Sequence, residues 1–244
     1  MAKLANRIFS VDNPKAIKAQ QYGYLNAIHY MAPSSQAGVG NLCPDASPGC
    51  IELCLGWTSG QAGMVKHDTD INSVRKSRID KARHFMRDRK GYMAGVEWSI
   101  QAAKRKAKAK DMTLCVRMNG ATDIAWEGVA KAIFSDNADV QFVDYTKSKK
   151  RALAHARGQL PSNYHLTFSR SETNEIDCID VLNAGGNVAV IFANGLPETY
   201  LGHLVIDGDE HDLRHLDKQG GYIVGLSPKG NKAKKSTSGF IVRN

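Results

Sequence analysis

The sequence predicts an α/β fold: a partial (β/α) barrel of six or seven mostly parallel strands, formed by one domain spanning residues 1–244. Three observations predict it. Seven short runs enriched in β-branched and aromatic residues recur along the chain. Segments with helical spacing or polar composition separate them. Polar side chains collect just after the runs, where parallel α/β folds build their sites. With 244 residues, 42% hydrophobic and 23% charged, the chain is long enough for one large core. It shows no internal repeat or low-complexity linker that would divide it.

The first run, "GYLNAIHYM" (23–31), reads as a strand and leads into "NLCPDASPGCIELCLGW" (41–57). That loop places Cys43, Cys50 and Cys54 in the spacing C-x6-C-x3-C, and Pro44, Pro48 and Gly49 keep it tight. Next comes a basic helical segment, 73–110, in which Ile79, Ala82, Met86, Met93, Val96, Ile100 and Ala103 recur at the steps of one helix face. Gly91 and Gly95 are expected to break it into two helices. The remaining strands are "TLCVRMN" (113–119), "VQFVDYT" (140–146), "YHLTFSR" (164–170), "NVAVIFA" (187–193), "HLVIDG" (203–208) and "YIVGLS" (222–227). "AWEGVAKAIFSD", "SKKRALAHAR" and "NEIDCIDVLNAG" supply helices between them, the last stopped by Gly185 and Gly186.

Three thiols are too many for one disulfide and too few to close a tetrahedral metal site. Thiolates in a turn-rich loop suit an iron–sulfur cluster or zinc. The paired C-x2-C knuckles usual in structural zinc are missing, and a Cys3His zinc site would have to recruit His29 or His67. In a four-iron cluster (4Fe-4S), three thiolates leave one iron without a protein ligand. Cys115 and Cys178 fall in strand and helix patterns and read as core. Five cysteines without a secretory leader suit a reducing cytoplasm. No run of about 18 apolar residues suggests a membrane span.

The strand-end residues supply candidate chemistry. "DYTK" offers Asp144, Tyr145 and Lys147 within four positions; Lys147 or Tyr145 would be the general acid–base, and Asp144 would orient it. Asn119, Asp123, Ser169, Arg170, Asp207, Asp209, His211 and Arg214 are candidate substrate or cofactor ligands. "DGDEHD" could also hold a divalent ion.

Net charge is +9, and residues 73–110 carry thirteen Lys or Arg against Asp80, Asp88 and Glu97. A second basic stretch, "PKGNKAKKSTSGF", follows at 228–240. Such surfaces attract nucleic acid or small anions. Trp57 and Tyr92 are candidate stacking platforms for bases.

Two resemblances add to this. A three-cysteine loop after the first strand of a (β/α) barrel resembles radical S-adenosylmethionine enzymes. That likeness implies a 4Fe-4S cluster whose open iron chelates S-adenosylmethionine. Those enzymes usually carry C-x3-C-x2-C and a Gly-Gly-Glu-like element after the second strand, where this chain has "MNGATDI". The segments "CPDASPGCIELC", "VRMNGATDIAWEGVA", "VQFVDYTKS", "NYHLTFSRSE", "VIDGDEHDLR" and "GLSPKG" resemble a bacteriophage protein family related to the mycobacteriophage gene product 88 family. It implies a phage gene expressed in a bacterial cytoplasm and assigns no reaction. The expectation is therefore a phage iron–sulfur protein, with a radical-S-adenosylmethionine-like enzyme as one form of it, acting on an anionic or nucleotide substrate. The alternatives are a nucleic-acid-binding protein with a structural metal site, zinc or iron–sulfur, and a small-molecule- or partner-binding phage factor that redirects host metabolism.

Overall fold

Seven strands lie side by side, all running the same way, in a computed structural model that describes residues 8–12 and 14–243. In chain order the elements are β1 (Phe9–Ser10), α1 (Pro14–Gln20), β2 (Tyr24–His29), α2 (Pro48–Glu52), α3 (Leu55–Thr58), α4 (Ser73–Arg87), α5 (Arg89–Lys108) and β3 (Thr113–Arg117). There follow α6 (Trp126–Val129), α7 (Ala132–Ser135), β4 (Gln141–Thr146), α8 (Lys149–Ala156), β5 (Tyr164–Ser169), α9 (Glu175–Asn183) and β6 (Val188–Ile191). The last elements are β7 (Thr199–Tyr200), β8 (His203–Asp207), β9 (Ile223–Leu226) and α10 (Asn231–Lys235). All seven strands expected from sequence are present, together with two-residue β1 and β7.

The sheet order is β1-β2-β3-β4-β5-β6-β9-β8-β7. Pairings from β2 through β8 are parallel, and only β1 and β7 are antiparallel. The α/β class and the mostly parallel sheet are as expected; among the described residues the sheet does not close into a barrel, since β1 and β7 end it and do not pair with each other. The order also turns back, since β9 slots between β6 and β8.

Both faces are covered, as the near-continuous apolar runs of a parallel sheet require. Leu25, Ala27, Leu114, Val116, Phe142 and Leu166 face the packed layer under α5, with Val96 and Ile100 among its buried side chains. Phe168, Val188, Val190 and Ile223 bury the other half against Ala152 of α8 and Val181 of α9. On the opposite face Cys115 and Val143 meet Ala19 of α1 and Leu213. Cys115 and Cys178 are fully buried core residues.

Two helix boundaries differ from expectation. The α4–α5 break falls at Asp88, whose carboxylate accepts the Gly91 N–H at 2.9 Å and caps α5. A Cβ on Gly91 would collide with that carboxylate, so Gly91 makes room for a cap and does not end a helix. The helix expected over "AWEGVAKAIFSD" forms instead as the separate turns α6 and α7. Among the described residues no helix is long and apolar enough to cross a membrane.

Candidate functional site

The cysteine loop leaves β2, the first strand of the parallel set, and folds back over the carboxyl ends of its neighbours. Ser47 starts α2 by accepting the Cys50 N–H at 3.2 Å, with Pro48 in the first turn. Cys54 lies at the start of α3, where its carbonyl accepts the Trp57 and Thr58 N–H groups at 2.9 and 2.8 Å. Cys43 is fixed by its own sulfur, which accepts the Ser34 N–H at 3.2 Å.

Three contacts clamp this loop from outside. Glu172, just past β5, accepts the Ser47 hydroxyl and the Gly49 N–H, both at 2.7 Å. A Cβ on Gly49 would stand 2.9 Å from both the Glu172 carboxylate and Phe240, so only glycine fits beneath them. On the other side, Arg75 is fully buried in α4 and donates to the carbonyls of Trp57, Ala62, Asp68 and Asp70 at 2.6–2.8 Å. Arg78 donates to the Gly56 carbonyl. Lys81 and Arg83 reach the Ile8 and Ala37 carbonyls, while Lys76, Lys104 and Lys106 pair with Asp80, Asp139 and Asp12. Seven of the thirteen cations of 73–110 therefore contact the protein's own groups.

Cys43, Cys50 and Cys54 share a cavity of about 330 Å³ with Asn119, Asp123, Tyr145, Lys147, Ser169, Arg170, Asp209 and His211. Residues far apart in sequence meet there because every strand from β2 to β6 ends on the same side. Three of the expected site residues do not line it. Asp144 alternates with Tyr145 along β4, so it points into the helix layer, where it is 1% exposed. There it accepts the Asn119 N–H at 2.6 Å and the Tyr164 hydroxyl at 2.8 Å. Burial pushes its carboxyl up to about 7, against those hydrogen bonds. Asp207 is exposed and accepts the Asp209 N–H at 2.8 Å. Arg214 is fully buried, donates to the Gly208 and His211 carbonyls and pairs with Asp217 at 3.2 Å. Both shape the 207–217 loop.

Inside the cavity the thiols are held in their protonated form by burial, which pushes Cys43 up to about 12 and Cys54 up to about 11, and also raises Cys50. Neighbouring cysteines add to the shifts of Cys43 and Cys54, so the three sense one another. A bound cation would release these protons. Among the described residues no three His, Cys, Asp or Glu side chains stand ready-made as a metal site. In the same cavity, Lys147 Nζ donates to Ser169 Oγ at 2.7 Å and lies 5.0 Å over the Phe240 ring. Arg170 donates to the Gly239 and Phe240 carbonyls. These partners carry no charge. The nearby carboxylate Asp123 is engaged by Arg151 at 2.5 Å and by the Lys147 N–H at 2.8 Å.

The expected fourth ligands stand elsewhere. His29 is fully buried, bonded to the Tyr92 hydroxyl at 2.6 Å and near the Met118 carbonyl at 3.0 Å, and burial lowers its pKa to about 3. His67 is exposed and does not line the cavity. Trp57 and Tyr92 are buried, at 7% and 1% exposure, and offer no stacking surface. Sequence reasoning missed Arg117 and Lys18, which line the cavity, and the wall supplied by Phe240 and Ile241. Arg117, packed 4.7 Å over the Tyr145 ring, had a signal: it ends a strand of the parallel set.

No curated protein and no solved structure matches the chain, so the likeness to radical S-adenosylmethionine enzymes gains no support from comparison. The family model described as Gene product 88 matches residues 7–244, the phage family to which the Cys-Pro loop and the Tyr-Thr-Lys segment pointed. The chain belongs to the gene product 88 family.

Proposed function

We propose that this protein binds a 4Fe-4S cluster through Cys43, Cys50 and Cys54 and acts on an anionic substrate held beside it. The observation that carries this reading is the shared cavity, which three thiols line together with Lys147 and Arg170. A cavity of about 330 Å³ is at the small end of the ligand-sized range. The donor set fits a cluster better than zinc, because neither His29 nor His67 reaches the thiols to close a tetrahedron. The Ser34 N–H on the Cys43 sulfur is the kind of hydrogen bond that tunes such a centre. When bound, the cluster supplies one-electron chemistry and one iron open to an outside ligand. The chain's own residues do the rest. Lys147 and Arg170 neutralise the substrate's charge, and the Tyr145 phenol is the proton-bearing group at the cavity floor. Asp123 holds the Lys147 N–H and thereby the turn after β4. S-adenosylmethionine would need a Gly-Gly-Glu-like element after the next strand, where 118–124 reads Met-Asn-Gly-Ala-Thr-Asp-Ile.

The test is anaerobic purification and reconstitution with iron and sulfide. A brown protein with several irons per chain is expected. Cys50→Ala should lose iron and Cys178→Ala should keep it. Stoichiometric zinc in place of iron, or full iron retention in Cys50→Ala, would overturn the reading.

A further inference from the structure

We infer that helix α10 binds the phosphate backbone of a single-stranded nucleic acid across the cavity mouth, so that the anionic substrate is one nucleotide of that strand. The substrate assignment rests on the function proposed above; the binding surface does not. Ala233 is the buried anchor of α10 and packs with Leu53, Phe240 and Ile241, beside the cysteine loop. This seating leaves Lys232, Lys234 and Lys235 exposed. Lys232 reaches Asp68 at 3.6 Å, which ties α10 to the loop that follows α3. Lys229 and Ala233 themselves line the cavity, so the cations on α10 continue inward to Lys147 and Arg170.

The carboxylates of this region already have partners. Asp123 holds Arg151, Glu172 holds Ser47 and Gly49, and Asp209 holds Lys229 at 2.9 Å. Lys147 and Arg170 donate hydrogen bonds only to neutral oxygens, Lys147 lies over a ring within electrostatic reach of Asp123 and Glu172, and Arg170 Nε is buried without a hydrogen-bond partner. A free small anion would engage the cations that line the cavity, Lys147 and Arg170 with Arg117, Lys18 and Lys229, and none of those on α10. A strand engages the lysines outside as well, because its charges repeat along a backbone. A cavity of about 330 Å³ has room for one nucleotide-sized group and none for a duplex. By contrast, no residue of 73–110 lines the cavity.

The experiment is fluorescence anisotropy with a labelled single-stranded oligonucleotide of about a dozen nucleotides, titrated over a salt series. Parent protein, with and without reconstituted iron, should bind at low ionic strength. The combined Lys232→Glu, Lys234→Glu, Lys235→Glu variant should lower the slope of log K against log salt by about 2, at roughly 0.7 for each phosphate no longer neutralised. Arg105→Glu with Lys108→Glu, both exposed on α5, should leave the slope unchanged. Thermal melting of each variant separates weakened binding from impaired folding. Cys50→Ala should keep the full slope, so failure of the cluster and failure of the strand site are separate results. No binding at low salt, an unchanged slope in the triple variant, or an equal drop in the α5 control would each overturn the inference.

Discussion

Replacing Glu172 with alanine should open the cysteine loop without unfolding the protein. Its carboxylate accepts two hydrogen bonds at 2.7 Å, from the Ser47 hydroxyl and the Gly49 N–H, at the start of the five-residue helix that carries Cys50. A hydrogen bond to a charged group contributes roughly 1.5–3 kcal/mol. Glu172 is only half-buried, so the low end applies and the pair amounts to about 3 kcal/mol. Burial alone would raise the Glu172 pKa, but the two donors more than offset it and hold the carboxyl below its ordinary value. The latch is therefore in place at neutral pH and is lost only as the pH falls through that lowered pKa. The assay is the rate at which iodoacetamide labels Cys50 in folded, metal-free protein, with the other cysteines replaced. Glu172 also raises the Cys50 pKa, so removing its charge speeds labelling by itself. Glu172→Gln removes the same charge but keeps an acceptor, and the Ala-to-Gln ratio isolates the latch. One retained hydrogen bond, about 1.4 kcal/mol, predicts Ala labelling about tenfold faster than Gln. Equal rates in the two variants would refute the latch.

Arg75→Met should destabilise the whole chain by about 3–5 kcal/mol in urea unfolding, because four carbonyls lose a fully buried cation. A loss below about 1 kcal/mol would mean those carbonyls find other donors. For Asp144 the folded pKa of about 7 lies above the ordinary 3.8, so the fold binds this proton more tightly than the unfolded chain does. Stability from this group is full at low pH and falls as the pH rises through about 7. Asp144→Asn should flatten that decline, and an unchanged pH profile would count against the burial of its proton.

Six of the seven strands were legible as short apolar runs with both faces buried, which announce themselves locally, and β8, which buries no residue, was legible from its β-branched Val205 and Ile206. Their order was not. The pairing of β9 with both β6 and β8 depends on contacts between distant segments, which no local pattern encodes. The cavity was legible for the same reason as the strands: parallel strands deliver their ends to one side, so Lys147, Arg170 and the cysteines had to converge. Asp144 was misplaced although the period-2 rule was available, since neighbours on a strand face opposite ways and Asp144 and Tyr145 cannot share a cavity. Arg75 carried a similar warning. It stands four residues before Ile79 and seven before Ala82, on the apolar stripe of its own helix, where a cation must find buried acceptors.

The position of β9 also sets the order in which the molecule can be completed during synthesis. Until residues 223–226 have emerged, β6 presents a bare edge and β8 has only two-residue β7 beside it. Residues 227–241, including Phe240 and Ile241, which line the cavity beside the cysteine loop, are made later still. The three thiols, translated long before, therefore face an open trough while the ribosome is still working. The cavity gains its Phe240 and Ile241 lining only after β9 has entered the gap between β6 and β8.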